Sequence, residues 1–212
     1  MRDSLSLMNC CKTRLLPLLL VMLILVGCAT TAPVPQASNE ASWQLQQQKV
    51  GSLAIWELAG RISVQLEKEG WSASLYWWQD NSDYKLRIVA PLGRGTVEIV
   101  GNKEQVRLQM ADNQVFENQD IDQMMQQNLG WEIPVNALVY WVRGLPDPGS
   151  KPDNIDIDAD GRLAGLHQDG WDIHYEKYTN VGGFDIPSRM TVEREQLRLR
   201  LGINRWTLPD AS

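Results

Sequence analysis

Few side chains in this sequence can do acid–base, nucleophilic or metal chemistry. The chain has two histidines, His167 and His174, and three cysteines, Cys10, Cys11 and Cys28. Both histidines fall in predicted strands, where an imidazole is most often an outward or half-buried sheet residue. Neither histidine has a second ligand at a zinc-binding spacing. The sequence therefore predicts no catalytic imidazole and no zinc centre.

Acidic residues provide two further candidates. The run Asp156–Gly161 matches the opening of a calcium-binding loop, but its twelfth position is His167 instead of a bidentate glutamate, and a strand follows it. We interpret the run as an acidic turn before the strand that begins at Arg162. Glu193 and Glu195 share one face of a predicted strand, which leaves a hydrolase as an alternative, although a solvated strand edge explains them. We expect no cofactor, no metal and no enzymatic activity.

The remaining thiol, Cys28, closes a short targeting segment. Basic residues precede an uncharged apolar run from Leu15 to Val26, which is too short to span a bilayer and is typical of a signal peptide. The junction Leu25–Cys28 resembles the bacterial lipoprotein processing box, whose cysteine receives lipid, palmitate included, and becomes the new N-terminus. An ordinary secretory signal with an incidental cysteine is the alternative. We predict a lipoprotein signal peptide at residues 1–27 and lipidation of Cys28.

The predicted mature chain is acidic and has the length of one domain. Removing residues 1–27 leaves 185 residues and changes the formal net charge from −6 to −8, because that segment carries three basic residues and one acidic residue. This charge disfavours nucleic acid as a partner and disfavours electrostatic attachment to anionic lipid. Residues 28–42, rich in Thr, Ala, Pro and Gln, form a lipidated flexible tether in this interpretation. Residues 43–212 then form a single domain.

Apolar and polar residues alternate along most of the mature chain, and this is the period of half-buried β-strands. Short gaps with turn residues separate the runs, which favours antiparallel hairpins over parallel crossovers. The inward positions of the first strands are candidates to line an apolar cavity. These candidates are Ile62, Val64, Leu75, Trp77, Leu86, Ile88, Val97 and Ile99.

The apolar spacing changes from strand to helix in the middle of the chain. It predicts one helix over Ile121–Leu129 that ends at Gly130, and a second that Pro134 opens and that runs to Gly144. The Gln-rich stretch from Trp43 to Leu53 is a candidate for a third. The fold class is therefore mainly β, with a curved antiparallel sheet under two or three helices. Such a sheet either packs tightly or encloses an apolar cavity.

The connection Pro91–Gly95 differs from an ordinary loop because its centre is apolar. Pro91 fixes one backbone dihedral, and Gly93 and Gly95 permit positive φ, so Leu92 is held on a constrained turn. Connections between strands normally carry polar or small residues. The pattern alone leaves open whether Leu92 points inward or outward.

Several segments in collinear order resemble the LolB family of outer-membrane lipoprotein receptors. Together with the lipid box, they cover the chain from about Trp43 to Leu208. The segments that carry the resemblance are Leu58–Ile62, Leu75–Gln79, Pro91–Gly93, Tyr140–Pro146, Gln168–Trp171 and Leu197–Trp206.

The resemblance implies an incomplete antiparallel β-barrel, with helices over its open side, that encloses an apolar cavity for acyl chains. It implies a protein anchored by lipid at the periplasmic face of the outer membrane of a Gram-negative bacterium. In the family, such a receptor accepts lipidated proteins from a soluble LolA-like periplasmic carrier and inserts them into the outer membrane without ATP. Pro91, Leu92 and Gly93 correspond to the family's membrane-insertion loop, with Leu92 outward. The implied partners are lipidated cargo proteins, the carrier and outer-membrane lipid, and the chain is expected to be a monomer.

Besides the hydrolase, a second alternative to this receptor function remains. A structural envelope lipoprotein with a solid core would show the same strand pattern and the same lipid box. The two functions differ in whether the concave side of the sheet can accept hydrocarbon.

Overall fold

Eleven strands form one antiparallel sheet in the computed structural model, which describes residues 36–67, 69–93, 95–130 and 133–209. The strands are β1 Ile55–Leu66, β2 Glu69–Asp80, β3 Asp83–Val89, β4 Thr96–Gly101, β5 Val106–Gln109, β6 Val115–Asn118, β7 Asn154–Ile157, β8 Leu163–Gln168, β9 Trp171–Val181, β10 Phe184–Arg194 and β11 Leu197–Thr207.

The strand order explains why the sheet is open. Consecutive strands pair from β1 to β6 and from β7 to β11, and β1 pairs with β11, so the order is β6-β5-β4-β3-β2-β1-β11-β10-β9-β8-β7. This leaves β6 and β7 as the two edges. The chain must therefore cross from one edge of the sheet to the other between residues 118 and 154.

Helices occupy that crossing. The helices α2 Ile121–Leu129 and α3 Val135–Trp141 lie in the crossing, and a third helix, α1 Gln36–Gly51, precedes β1. The predicted α2 is confirmed with both of its ends: the Asp120 carboxylate accepts the backbone N–H groups of Asp122 and Gln123, and Gly130 ends the helix in the left-handed conformation with φ 66°. The helix α3 follows Pro134 as predicted but ends at Trp141, before Gly144.

The N-terminal helix is longer than predicted. It begins at Gln36 and so includes residues that the sequence analysis assigned to the flexible tether. None of the helices in the described ranges combines the length and apolar character that a membrane span requires.

The sheet bends where β1 crosses β11. A Cβ atom on Gly60 would lie 2.2 Å from the carbonyl oxygen of Gly202, so the two backbones approach more closely than any other residue allows. The register also shifts between Ala59 and Gly60, where β11 contains one extra residue. Such a bulge increases the local twist of the sheet and curves it around its inward side chains.

Tryptophans fill one end of the sheet. Trp56 is 1% exposed, and its ring centroid lies 5.3 Å from that of Trp77 and 5.5 Å from that of Trp206. These residues come from the start of β1, the end of β2 and the end of β11, which antiparallel pairing brings to the same end. Most of the remaining inward side chains form one continuous hydrophobic core with α2 and α3.

A buried glutamine joins α3 to the sheet. The Gln168 side chain, on β8, is 0% exposed. Its Oε1 accepts hydrogen bonds from Trp141 Nε1 and from the backbone N–H of Asp147, each at 2.9 Å. Its Nε2 donates to the carbonyl oxygens of Asp147 at 2.7 Å and Ser150 at 2.8 Å. All of the hydrogen-bonding capacity of this amide is used to hold α3 and the following loop.

A buried arginine joins the end of α3 to the end of α1. Arg143 donates from Nε to the Val139 carbonyl oxygen and from Nη1 to the Leu53 carbonyl oxygen, both at 3.0 Å, and stacks 5.3 Å from the Tyr140 ring centroid. Burial lowers the pKa of Arg143. The sequence segment Tyr140–Pro146 therefore has a structural function in holding two helices together.

Two strands were not predicted, and one predicted side-chain arrangement is wrong. The edge strands β6 and β7 have four residues each, and these residues are exposed or half-buried, so the strands are too short and too open to stand out in the sequence. The prediction that Glu193 and Glu195 share a strand face is wrong. β10 ends at Arg194, and Glu195 lies in the following turn with φ 54°, while Glu193 forms an ion pair with Arg198.

Replacing Gln168 with leucine tests its structural function. The substitution leaves four polar groups, one buried and three part-buried, without this hydrogen-bond partner, and at roughly 1 kcal/mol each it should lower the free energy of unfolding by about 3–5 kcal/mol. Urea denaturation measures this value. Gln65→Leu, at an exposed position on β1, is the control and should change it by less than about 0.5 kcal/mol. Equal effects of the two substitutions would contradict this account.

Candidate functional site

Several strand connections meet at the end of the sheet opposite to the tryptophan cluster. β1 ends at Leu66, β3 leads into the loop with Leu92, and β10 and β11 are joined through Gln196. The backbone N–H of Glu67 donates to the Gln196 carbonyl oxygen at 3.3 Å, which joins two of these turns. We call this end of the sheet, defined by Leu66, Leu92 and Gln196, the mouth end.

A cavity of about 490 Å³ lies at the mouth end, between the β1–β2 and β10–β11 turns and the connection from α2 to α3. This volume lies within the range of about 300–1,000 Å³ that is usual for small-ligand pockets. Its apolar lining consists of Val64, Leu66, Trp71, Ile133 and Leu197, and its charged rim consists of Glu67, Glu69, Arg194 and Glu195. The arrangement can hold a hydrocarbon chain inside and a polar or cationic group at the rim.

One of the eight predicted cavity residues lines this cavity, and the other seven do not. Val64 is the lining residue. Val97 is half-buried against the core, and the remaining six are buried in it at 0–7% exposure. Met124, Met125, Leu138 and Trp141, from α2 and α3, belong to the same core. The space beneath the helices is thus filled by side chains, so a lining function for the seven residues requires a state in which the helices have moved.

The mouth residues that the sequence analysis missed lie in turns. Ile133 follows α2, and Glu195 lies between β10 and β11. Their common location depends on the pairing of β1 with β11, which joins opposite ends of the domain. The sequence shows each turn but not which turns meet.

Leu92 projects from the mouth end into solvent. Its side chain is 94% exposed, the largest exposure among the exposed large hydrophobic residues of the described chain. The loop is constrained: the Ala90 N–H donates to the Gly95 carbonyl oxygen at 3.0 Å, and a Cβ on Gly95 would lie 2.4 Å from the Cβ of Ala111. The outward orientation, which the pattern alone left open, is the one in the structure.

The backbone of Leu92 is strained as well. Its φ of 59° and ψ of 30° lie in the left-handed region, which costs a residue with a side chain about 1–2 kcal/mol. An exposed position gives leucine no packing energy that offsets this cost. Strain at an exposed side chain that makes no packing contribution makes Leu92 a candidate functional residue.

An aspartate couples α2 to α3. Asp122 Oδ1 accepts the backbone N–H of Val135 at 2.6 Å and that of Asn136 at 3.4 Å, and Oδ2 accepts from Asn136 Nδ2 at 3.1 Å. Burial raises the pKa of Asp122 despite these hydrogen bonds. Burial and the charges of Asp122 and Asp120 raise the pKa of Tyr84 to about 12. Asp122 therefore supplies the N-terminal cap that Pro134 cannot, and its hydrogen bonds link the first turn of α2 to the start of α3.

The two histidines and the acidic run Asp156–Gly161 are not among the residues that line the mouth cavity. His167 Nδ1 lies 2.7 Å from an Asp172 carboxylate oxygen on the outer side of the sheet, and His174 is exposed on β9. Asp158 accepts two hydrogen bonds from the Arg162 guanidinium, at 2.9 and 2.8 Å. Cys28 and most of the predicted tether lie outside the described residues.

Comparison with known proteins agrees with this arrangement. Residues 54–206 match the family described as outer membrane lipoprotein LolB. The outer-membrane lipoprotein LolB of Stutzerimonas stutzeri is 35% identical over 202 residues, which cover 94% of this chain and 97% of that protein. The LolB of Nitrosococcus oceani is 35% identical over 196 residues, covering 92% and 98% of the two chains.

Solved structures share the fold at low identity. A LolA superfamily protein from Nitrosomonas europaea superposes with a TM-score of 0.54 and 11% identity, covering 85% of this chain and 96% of its own. A DUF1329 family protein from Desulfovibrio piger gives a TM-score of 0.53 at 9% identity, with coverage of 85% and 95%. The predicted fold class, an open antiparallel sheet with helices, is confirmed.

Asp122 makes the stability of the helix pair depend on pH. Because its pKa is raised in the folded state, the folded chain binds the proton more tightly than the unfolded chain does. The stability of the parent relative to Asp122→Asn should therefore fall as pH rises from the ordinary aspartate range towards neutral. Thermal denaturation of both proteins between acidic and neutral pH measures the difference. A constant difference, or one that grows with pH, would show that the buried carboxylate is not under strain.

Proposed function

The chain belongs to the LolB family of outer-membrane lipoproteins, and on this premise we propose that it receives lipidated proteins from a LolA-like periplasmic carrier and releases them into the outer membrane. The observation that carries the proposal is the position of Leu92. This exposed aliphatic side chain and the opening of the apolar cavity lie at the same end of the sheet. Cargo that leaves the cavity at this end emerges where Leu92 contacts a bilayer.

The cavity provides the apolar surroundings that the acyl chains of a lipidated cargo require. Exposing a sixteen-carbon acyl chain to water costs about 12 kcal/mol, at about 0.8 kcal/mol per methylene. A lipidated protein therefore cannot cross an aqueous compartment without apolar cover. A receptor that binds the chain less tightly than the bilayer does can pass it on downhill, without a nucleotide and without a catalytic step.

Opening of the helix pair extends the cavity in this proposal. The present volume suits one ligand of ordinary size, whereas a lipoprotein carries several acyl chains. Methionine side chains repack at low cost because they are unbranched and flexible, and Met124 and Met125 are the buried side chains at the centre of α2. By contrast α3 is held to the sheet through Gln168 and through the Tyr175 hydroxyl, which donates to the Trp141 carbonyl oxygen at 3.0 Å. We infer that α3 stays and that α2 moves, which breaks the hydrogen bonds from Val135 and Asn136 to Asp122.

Two further parts complete the proposal. Lipidation of Cys28 anchors the chain at the periplasmic face of the outer membrane, after removal of residues 1–27. Pro91, Leu92 and Gly93 form the membrane-contacting loop, and the protein acts as a monomer that takes one cargo at a time.

A scaffold function is the second candidate, and the dense core supports it. The inward residues of β1 to β4 are largely packed against the helices, as a solid domain would have them. A scaffold of this kind needs neither a mouth cavity nor a strained exposed leucine, so these two features favour the receptor.

Uptake of an acyl chain distinguishes the two candidates. A variant that begins at Ala29 retains the compact unit Ala37–Ser212 and lacks the anchor. We expect a brominated fatty acid to quench its tryptophan fluorescence with a micromolar dissociation constant, since burying about ten methylenes supplies about 8 kcal/mol.

The quenched residue locates the chain. Trp71 lines the cavity and is 37% exposed, whereas Trp78, on the outer face, is 38% exposed. Trp71→Phe should therefore remove most of the quenching amplitude, and the matched control Trp78→Phe should retain it. Absence of saturable quenching in the parent would favour the scaffold.

Delivery to membranes depends on Leu92 in this proposal. Leu92→Glu should leave fatty acid binding and thermal stability unchanged but should lower the transfer of a lipidated cargo to vesicles at least tenfold, because a charged tip cannot enter hydrocarbon. Leu92→Gly should also lose transfer, although it relieves the backbone strain. Leu45→Glu, at a 68% exposed position on α1, is the control. Normal transfer by Leu92→Glu would remove the loop from the mechanism.

A further inference from the structure

A groove on the outer face of the sheet runs beside the Leu92 loop. It has a volume of about 580 Å³, and its lining includes Pro91, Ser63, Ser72, Arg198 and Arg200. The end of the β1–β2 hairpin, with Val64 and Trp71, borders both this groove and the mouth cavity. The hairpin therefore separates an apolar inner cavity from a polar outer groove at the same end of the sheet.

Strand register brings three arginines together here. Ser63 on β1 pairs with Arg200 on β11 and with Ser72 on β2. Arg198 precedes Arg200 by two residues on the same face of β11. Arg61 lies two residues before Ser63, which puts it diagonal to Arg200 at roughly 7–8 Å between backbone positions. The groove thus presents the guanidinium groups of Arg198 and Arg200 beside two hydroxyls, and Arg61 lies on the adjoining surface of β1.

These charges are not neutralised within the domain. Arg198 forms an ion pair with Glu193, but in the described part of the chain neither Arg61 nor Arg200 has an ion pair. Both side chains are exposed. The protein as a whole carries a formal charge of −6, so its overall field repels an anionic surface. Attraction to such a surface must come from a local group of cations like this one.

We propose that this groove binds the phosphate of an anionic phospholipid headgroup when the Leu92 loop meets the membrane. The proposal rests on the proposed function, since it takes from it the approach of Leu92 to a bilayer. Guanidinium groups donate two parallel hydrogen bonds to a phosphate, and the two serine hydroxyls are within the same groove to donate others. Contact at the groove and insertion of Leu92 then occur together, because Pro91 belongs to both.

The groove also sets the orientation of the mouth end relative to the membrane surface. On the inner side of the β1–β2 hairpin the cavity rim carries three carboxylates, of Glu67, Glu69 and Glu195, against the single guanidinium of Arg194. An anionic surface is attracted on the side of Arg200 and repelled on the side of this rim. The headgroup contact therefore holds the opening beside the bilayer surface without letting lipid headgroups cover it.

Vesicle binding by the variant that begins at Ala29 tests the proposal. Binding is measured by co-sedimentation at low ionic strength with vesicles of pure phosphatidylcholine and with an equimolar mixture of phosphatidylcholine and phosphatidylglycerol. Each cation near an anionic surface strengthens binding about fivefold. Arg200→Gln should therefore weaken binding to the mixed vesicles about fivefold and Arg200→Glu about thirtyfold, with little change for phosphatidylcholine.

Arg205 provides the matched control. It is exposed on the same strand but near the opposite end of the sheet, where it pairs with Ala59. Arg205→Gln and Arg205→Glu change the net charge equally and should alter binding less than twofold. Circular dichroism and thermal denaturation establish that each variant is folded, and Arg200→Gln carries the test if Arg200→Glu is not.

The outcomes separate this proposal from the function on which it rests. Equal losses for the Arg200 and Arg205 variants would overturn it, because net charge and not the groove would then govern binding. Parent-like binding by the Arg200 variants would also overturn it. Leu92→Glu should weaken binding to both kinds of vesicle, and its failure to do so would contradict the proposed function whatever the Arg200 variants show.

Discussion

The antiparallel pairing of β1 with β11 is the constraint on which the rest of the structure depends. It joins a six-strand meander to a five-strand meander, and it leaves β6 and β7 as unpaired edges that α2 and α3 must bridge. It also brings the β1–β2 and β10–β11 turns side by side, so that they border one cavity. Gly60 permits this pairing at its closest point, because a Cβ there would collide with the Gly202 carbonyl oxygen. The mouth end exists because two distant parts of the chain meet there.

The core is densely packed, whereas a cargo function needs space for acyl chains. A sheet that closes on itself would need no helices, whereas an open sheet exposes apolar surface that the helices must cover. Here the side chains of α2 and α3 pack against it, and the apolar cavity of about 490 Å³ lies beside them at the mouth end. Cargo must then replace protein side chains with hydrocarbon, an exchange of similar materials whose free energy is small. That condition suits a receptor that has to release what it binds.

Much of this arrangement could be predicted from the sequence, because local physics determines it. The alternation of β1 to β5, the end of α2 at Gly130 and the constrained turn at Leu92 follow from the chemistry of neighbouring residues. The edge strands β6 and β7 could not be predicted, since each has only four residues, none of them buried, and so carries little periodic signal. The packing of helix side chains into the predicted cavity was missed for a different reason: periodicity shows which face is apolar but not what covers it. Glu193 lies on β10 and Glu195 lies in the turn that follows it, and the alternation of residue types does not show where this turn begins.

The central claim is that the apolar space at the mouth end holds an acyl chain. A fatty acid with a photoreactive diazirine at its terminal methyl group tests this most directly, with the crosslinked residues located by mass spectrometry. This account predicts labelling of mouth-end residues such as Trp71 and Ile133, extending to Met124 and Met125 when α2 moves. Labelling confined to the outer face of the sheet, or none above an unfolded control, would contradict it.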